Sequence, residues 1–257
     1  MGWYDNASMP RPCLFCPNPV DSAEHIWSDW ILDDLKLATA VRVTIGKAES
    51  VWVDNPEVKI ECVCRKCNNG WMSALEEANK LAIRAIINDD PCGLTKRDQD
   101  KLTRWAVLKT MVLESCNSVR PLFYTQTERE ALKNTSSIPA RTLVWLGRFS
   151  VKAFHAGGTD AWGEIEKTPK ASHSCITTFV VGHLVVQVLT LHVFGQFANE
   201  NVSIGCKMGD WSSSLLDIWP IVGPVRWPPD VSFTATRGVP SNIATVINRW
   251  EIGEDIG

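Results

Sequence analysis

The sequence lacks a strong charge of either sign, since its 257 residues carry 26 lysines and arginines against 29 aspartates and glutamates. A net charge of −3 excludes a protein that binds nucleic acid through a globally basic surface. Any contact with nucleic acid must therefore rest on a local patch. Apolar residues make up 45% of the chain, which excludes wholesale disorder and is enough for a sizeable core.

Long apolar runs and targeting signals are also absent. The most apolar stretch, residues 179–194, is interrupted by polar residues such as His183 and Gln187, so it does not predict a membrane span. The first twelve residues have neither the basic start nor the apolar centre of a signal peptide. No glycine-rich phosphate loop, Ser-His-Asp order or kinase signature occurs. We therefore expect a cytoplasmic protein without membrane contact.

Nine cysteines are present, and four of them form two C-x-x-C pairs. Thiolates with this spacing on tight turns point at a common centre, and Pro-Asn-Pro and Asn-Asn-Gly turns follow the pairs. We predict one structural Zn²⁺ on Cys13, Cys16, Cys64 and Cys67. Cys62 offers an alternative ligand, but Cys62-x-Cys64 is a less suitable spacing. The other cysteines show no framework spacing, so a reducing compartment fits better than a disulfide scaffold.

The periodicity of apolar residues predicts a mixed α+β fold. Helical spacing predicts helices over 28–35, 71–88, 95–116, 128–134 and 241–250. Alternating residues predict strands over 41–45, 49–53, 58–63, 142–146, 150–154, 175–181 and 184–194. Glycines predict loops at 157–158 and 162–163. In the helix over 71–88, Ser73 and Glu76 have the spacing of a capping box.

Composition changes near residue 135 from helix-rich with paired cysteines to strand-rich. We predict a zinc-binding domain over 1–94, linking helices over 95–134 and a β-rich C-terminal region over 135–257. Within the first segment, a zinc knuckle, a hairpin and a helix that carries the last two cysteines make a treble-clef arrangement. The sequence leaves open whether these segments share one core.

A second group of polar residues lies close to the cysteine pairs in sequence. Four thiolates complete the coordination of a structural zinc ion, so any chemistry needs other groups. Glu24 and His25 follow the first pair, and Asn68 follows the last cysteine directly. Zinc would hold the two segments together, so these three side chains can converge. Arg65 and Lys66, between the last two cysteines, can contact phosphates.

The order Cys-x-x-Cys, Glu24-His25, Cys-x-x-Cys-Asn68 resembles the HNH endonuclease family with a zinc-stapled treble clef, the ββα-metal fold found in bacteria and phages. The resemblance covers about residues 13–80 and implies a hydrolase that cleaves DNA. It implies that His25 is the general base. It also implies that Glu24 and Asn68, or less suitably Asn69, bind a catalytic Mg²⁺ or Mn²⁺.

The chemistry is sound for the residue types themselves. A neutral imidazole can take a proton from water near pH 7, and an oxygen-ligated divalent cation can stabilise the charge that develops on phosphate.

The sequence departs from the family at Lys59, where an asparagine is usual, and at Ile26, where a proline is usual. A second hypothesis is therefore a catalytically silent zinc module that binds nucleic acid or a protein partner, a second copy included. A third makes the β-rich region a small-ligand sensor that gates the nuclease.

Overall fold

A computed structural model describes residues 11–35, 41–43, 51–53, 57–116, 121–165, 167–199, 205–206, 214–233 and 252–253. The first part of the chain consists of short strands and one helix: β1 Ser22–His25, α1 Asp29–Leu35, β2 Val41–Val43, β3 Val51–Val53 and β4 Lys59–Val63. Strand β1 pairs antiparallel with β4, and β2 pairs antiparallel with β3. Strands β2, β3 and β4 were predicted from the sequence and are present, whereas the pairing of β1 with β4 was not predicted.

A helical layer follows β4. Its elements are α2 Arg65–Cys67, a π-helical turn Asn68–Met72, α3 Ser73–Ile87, strand β5 Cys92–Leu94, α4 Lys96–Glu114 and α5 Gln126–Thr135. Helices α4 and α5 begin with reciprocal capping boxes, at Thr95 and Thr125. The capping box predicted at Ser73 and Glu76 is wrong, because the Ser73 N–H already donates to carbonyls of the π-helical turn. The Glu76 carboxylate is therefore available for another partner.

Two long strands dominate the C-terminal part. The elements are β6 Thr142–Ile165, β7 Thr168–Val193, a 3-10 turn Gly195–Asn199, and the short strands β8 Gly205–Cys206, β9 Leu215–Trp219, β10 Val225–Trp227, β11 Ser232–Phe233 and β12 Ile252–Gly253. Strands β6 and β7 form an antiparallel hairpin, to which β9 adds antiparallel and β11 parallel on β6. Strand β10 pairs with β5, and β12 with β8.

These elements confirm the predicted α+β class and correct two predictions. The loops predicted at 157–158 and 162–163 are wrong, because these glycines lie inside β6 and pair with β7. Glycine permits an extended backbone, so its presence alone does not mark a loop. The helix predicted over 241–250 lies outside the described residues. Of the helices that the structure describes, none is long and apolar enough to cross a membrane.

The hairpin is sharply bent. The side-chain amide of Gln187 donates to the Thr178 hydroxyl at 3.2 Å, although the two residues belong to one strand. Nine extended residues would span about 30 Å, so β7 folds back between them. Gly182, with φ +59°, lies at this bend, and the register with β6 shifts after Arg148. The bend encloses a small core of Trp145, Phe149, Val180, Val185, Leu189, Leu215 and Phe233.

One larger core draws residues from all three segments of the chain. It includes Phe15 and Trp27 from the cysteine-rich part, Met111 from α4, and Phe154 and Val186 from the hairpin. The rings of Trp27 and Phe154 meet edge to face with centroids 5.4 Å apart. This shared core answers the question that the sequence left open, and it holds β1 and α1 against the sheet.

Gly182 provides a test of the bend. A Cβ at this position would lie 2.5 Å from the backbone oxygen of Ile87 and 2.9 Å from Leu35 Cδ2. We predict that Gly182→Ala lowers the free energy of unfolding by about 3 kcal/mol, combining left-handed backbone strain with overpacking. Gly195→Ala is the matched control, because Gly195 has φ +64° and no atom within 4 Å of its added Cβ. Urea unfolding that shows equal losses for the two variants would contradict the close contact at the bend.

His155 makes a second prediction about stability. It is buried in β6, and neither ring nitrogen has a hydrogen-bond partner among the described residues. Burial lowers its pKa from 6.5 to about 4. The unfolded chain therefore takes up the proton first, so stability is complete above pH 6.5 and falls as the pH drops towards 4. Between pH 7 and pH 4 the free energy of unfolding of the wild type falls because of this proton uptake. We expect His155→Leu to make that fall smaller by about 3 kcal/mol, measured by urea unfolding at pH 7 and pH 4. An unchanged pH dependence in the variant would contradict the burial of a neutral ring.

Candidate functional site

Four cysteine sulfurs meet where two turns of the chain come together. The first turn precedes β1 and the second follows β4, so the sulfurs of Cys13, Cys16, Cys64 and Cys67 lie within 4.8 Å of one another. Cys16 Sγ is 3.5 Å from Cys64 Sγ and 3.6 Å from Cys67 Sγ. A tetrahedral zinc ion with Zn–S bonds of about 2.3 Å separates its sulfurs by about 3.8 Å. The four buried thiols can therefore hold a metal ion such as zinc.

The local backbone shapes both turns. The N–H of Cys16 donates to the carbonyl of Cys13 at 3.3 Å, and that of Cys67 donates to the carbonyl of Cys64 at 3.0 Å. The side-chain amide of Asn18 points a donor at Cys64 Sγ, 3.8 Å away. Donors aimed at sulfur favour the thiolate. The Pro-Asn-Pro turn thus contributes an electrostatic contact as well as the tight geometry predicted from sequence.

The ionisation of these thiols depends on their burial and on one another. Burial and the neighbouring thiols raise the pKa of Cys13 and of Cys67. Burial opposes ionisation of Cys64 too, but hydrogen bonds from Cys67, Cys16 and Asn18 outweigh it and lower the pKa of Cys64 to about 7. Four thiolates in so small a volume repel one another unless a cation neutralises them. The donor set therefore suits a divalent ion that prefers sulfur.

Cys62 is not part of this cluster. Its side chain is buried on β4, and burial raises the pKa of its thiol to about 12. Among the described residues, the two groups of His, Cys, Asp and Glu side chains that can hold a metal ion do not include it. The geometry therefore favours the paired spacing over the alternative Cys62-x-Cys64 set.

Strand β1 separates Glu24 from His25. Successive side chains of a strand point to opposite faces, and here Glu24 is buried while His25 is about a quarter exposed, at 24%. The Glu24 carboxylate accepts a hydrogen bond of 2.6 Å from Lys109, whose side chain is also buried. The structure therefore does not bring the Glu24 carboxylate and the His25 ring together at one open site.

The His25 ring instead faces two carboxylates that the sequence analysis did not single out. His25 Nε2 lies 3.1 Å from Asp29 Oδ1 and 3.0 Å from Glu57 Oε1. Glu57 also pairs with Lys59. Hydrogen bonds from Lys59 and then from His25 lower the pKa of Glu57, which is therefore ionised at neutral pH. His25, Asp29 and Glu57 form the second group of side chains that can hold a metal ion.

Asn68 directly follows the second cysteine turn and contacts the first half of β1. Its side-chain amide nitrogen donates to the Ser22 hydroxyl at 2.9 Å and to the Ala23 carbonyl at 2.8 Å. These bonds fasten β1 to the start of the helical layer. Asn69 is exposed, as are Arg65 and Lys66. The metal-binding role predicted for Asn68 and the phosphate contacts predicted for Arg65 and Lys66 remain predictions.

Sequence signals for the missed residues were present but weak. Asp29 stands four residues after His25, at the start of the predicted helix, but this spacing is a pairing signal only within one helix. Lys109 is a lysine on an otherwise apolar face of α4, a position where an unpaired charge is costly. Glu57 precedes β4, whose pairing with β1 had no sequence signature.

No family model, no curated protein and no solved structure matches this chain. A function is therefore inferred from the contacts of its own residues.

The cysteine cluster gives a testable prediction on metal content. We expect the purified chain to carry one zinc ion and to lose it when Cys64→Ser removes one of four ligands. Structural zinc in small domains is worth about 10–16 kcal/mol in apparent binding free energy, so the variant should also lose its cooperative thermal transition in this region. Metal content is measured by plasma emission spectrometry and folding by circular dichroism.

Cys62→Ser is the matched control, because it removes a buried thiol of the same segment that lies outside the cluster. This variant should keep its zinc. Equal zinc content in the Cys64→Ser and Cys62→Ser proteins would show that the four sulfurs do not hold the ion.

Proposed function

We propose that the chain is a metal-dependent endonuclease of the HNH type that hydrolyses phosphodiester bonds in DNA. The support is the arrangement around the cysteines. A C-x-x-C turn leads into β1, β1 pairs with β4, and the second C-x-x-C turn opens the helices that end with α3. This order is consistent with a treble clef, in which a structural zinc ion on the four cysteines would join the two ends. His25 closes β1 at the edge of this unit.

The observation that carries the proposal is the contact of His25 Nε2 with the carboxylates of Asp29 and Glu57. A carboxylate accepts hydrogen bonds, so Nε2 carries the proton in the neutral ring. Nδ1 then has the free lone pair, and no described residue bonds to it. A ring oriented in this way by carboxylates can take a proton from water at Nδ1, and the carboxylates stabilise the imidazolium that forms.

The residues around His25 fit a hard divalent cation better than Glu24 does. Glu24 is buried against Lys109, whereas Asp29 is mostly exposed and Glu57 partly so. Each carboxylate has a second oxygen besides the one near Nε2, and carboxylate oxygens are the preferred protein ligands of Mg²⁺ and Mn²⁺. When bound, such a cation stabilises the negative charge that develops on the phosphate group. We propose Asp29 and Glu57 as its ligands in place of Glu24.

DNA contact is proposed at the exposed turn that carries the last two cysteines. Arg65 and Lys66 are exposed there, and the backbone N–H of Arg65 is fastened by Asp21 Oδ1 at 2.5 Å. The positively charged side chains of Arg65 and Lys66 can bind phosphate oxygens from this turn without a basic surface elsewhere. This local patch is consistent with the small net charge of the chain.

A second proposed function has its own observation. Glu24 and Asn68 both make contacts that build the fold, Glu24 with Lys109 and Asn68 with Ser22 and Ala23. If Glu24 and Asn68 serve only to stabilise the fold, the unit has no catalytic metal ligands at these positions. It can then act as a zinc module that binds nucleic acid or a protein partner without cleaving it.

Cleavage of supercoiled plasmid distinguishes the two functions. With Mn²⁺ or Mg²⁺ we expect the protein to nick or cut the plasmid, and His25→Ala to lower the rate by about 10²-fold or more, because general-base catalysis contributes on that order. Asp29→Asn should weaken activation by the cation. His183→Ala is the matched control, since His183 is a half-buried histidine bonded to the Phe149 carbonyl, remote from β1 in sequence.

Zinc content and circular dichroism must be the same in these proteins for the comparison to hold. A His25→Ala protein that cuts as fast as the wild type would remove His25 from the reaction. Plasmid binding without cleavage by the wild type, with either cation, would favour the silent zinc module.

A further inference from the structure

A buried ammonium group lies directly behind His25. The Lys109 side chain, on α4, is 1% exposed. Its Nζ donates to Glu24 Oε1 at 2.6 Å and to the backbone carbonyl of His25 at 2.8 Å, and it lies 2.6 Å from Glu76 Oε1. The three N–H groups of the ammonium thus have three acceptors. This contact joins β1, α3 and α4 at one point.

Glu76 extends the contact to the start of α1. The Ser28 hydroxyl donates to Glu76 Oε1 at 2.6 Å, and the Ser28 carbonyl accepts the N–H of Ile31 at 2.9 Å in the first turn of that helix. Ser28 immediately precedes Asp29, whose carboxylate faces the His25 ring. Through Glu76 and Ser28, the same ammonium is therefore connected to both members of the His25–Asp29 pair.

We propose that Lys109 is a positioning residue that holds His25 through its backbone carbonyl and Asp29 through Glu76 and Ser28. The inference rests on the proposed function, since only a reaction at His25 gives this positioning a catalytic effect. Lys109 touches neither substrate nor cation in this account. It acts by fixing the backbone on which the reacting ring and its carboxylate are mounted.

Stability alone does not explain a lysine at this position. Its neighbours Ala106, Leu108, Met111 and Val112 are buried and apolar. An apolar side chain among them would avoid the desolvation penalty of an ion pair, and replacing buried ion pairs by apolar residues is often neutral or stabilising. The lysine is instead explained by the backbone carbonyl and the two carboxylates that it holds.

The charge on this lysine is maintained by its partners. Burial by itself favours the neutral amine, but Glu24 and Glu76 outweigh burial and raise the pKa of Lys109. Burial likewise opposes ionisation of Glu76, and Lys109 outweighs it and lowers the pKa of that carboxyl. Lys109 and Glu76 therefore stay ionised together, and the contacts with β1 and Ser28 persist across the neutral range.

The test is the double variant Lys109→Met/Glu24→Gln, which removes both members of the more deeply buried pair and leaves Glu76 with its hydrogen bond from Ser28. We expect kcat for plasmid nicking to fall on the order of 10²-fold, as small displacements of a catalytic group do, while KM for DNA and zinc content stay unchanged. Ser28→Ala, which removes only the link between Glu76 and α1, should lower kcat by a smaller factor and fold normally.

The matched control is Arg84→Met/Asp34→Asn. This pair also joins α3 to α1, by two hydrogen bonds, but at the far end of α1 from Asp29. It should leave kcat unchanged. A kcat that is unaffected in both the Lys109→Met/Glu24→Gln and the Ser28→Ala proteins, or reduced as much in the control, would overturn the positioning role.

A spectroscopic measurement separates this inference from the proposed function. Long-range ¹H–¹⁵N correlation of the imidazole groups should show His25 as a single tautomer protonated at Nε2 in the wild type and as a mixture in the double variant. Failure of the wild type to cut DNA would reject the proposed function. Cleavage by a double variant whose His25 tautomer is unchanged would reject the positioning role alone.

Discussion

The contact on which the candidate site depends is the meeting of four cysteine sulfurs between the turn before β1 and the turn after β4. The backbone also joins the two turns, through the four residue pairs of β1 with β4 and through the N–H of Leu14, which donates to the Cys62 carbonyl at 2.8 Å. A structural zinc ion there would supply about 10–16 kcal/mol, as much as the whole stability of a typical domain. Such an ion would fix β1 against the helical layer, and with it the direction of the His25 ring.

Strand alternation then assigns opposite roles to two neighbours. Glu24 turns inward, where Lys109 neutralises it, and His25 turns outward to Asp29 and Glu57. Strand β1 therefore carries both Glu24, which binds it to Lys109 in the core, and His25, the proposed base. The hairpin of β6 and β7 supports this unit from behind, because Phe154 packs on Trp27 and the bend at Gly182 fits against Ile87.

The sequence predicted those parts that depend on local spacing. The two C-x-x-C turns identified the sulfur cluster, and apolar periodicity located α3, α4 and α5 within a few residues. The sequence did not predict contacts between distant segments. Lys109 lies 85 residues from Glu24, and no pattern within α4 indicates that partner. The Glu24-His25 pair suggested a shared site, because in sequence the two residues are adjacent, whereas in a strand they face apart. The glycines of β6 suggested loops, since their pairing with β7 is also a long-range property.

X-ray absorption at the zinc edge of the purified protein tests most directly whether a closed sulfur site organises this unit. Four sulfur ligands at about 2.3 Å, with no nitrogen or oxygen in the first shell, are the predicted result. A first shell that contains nitrogen or oxygen, or a folded protein that binds no zinc, would contradict it.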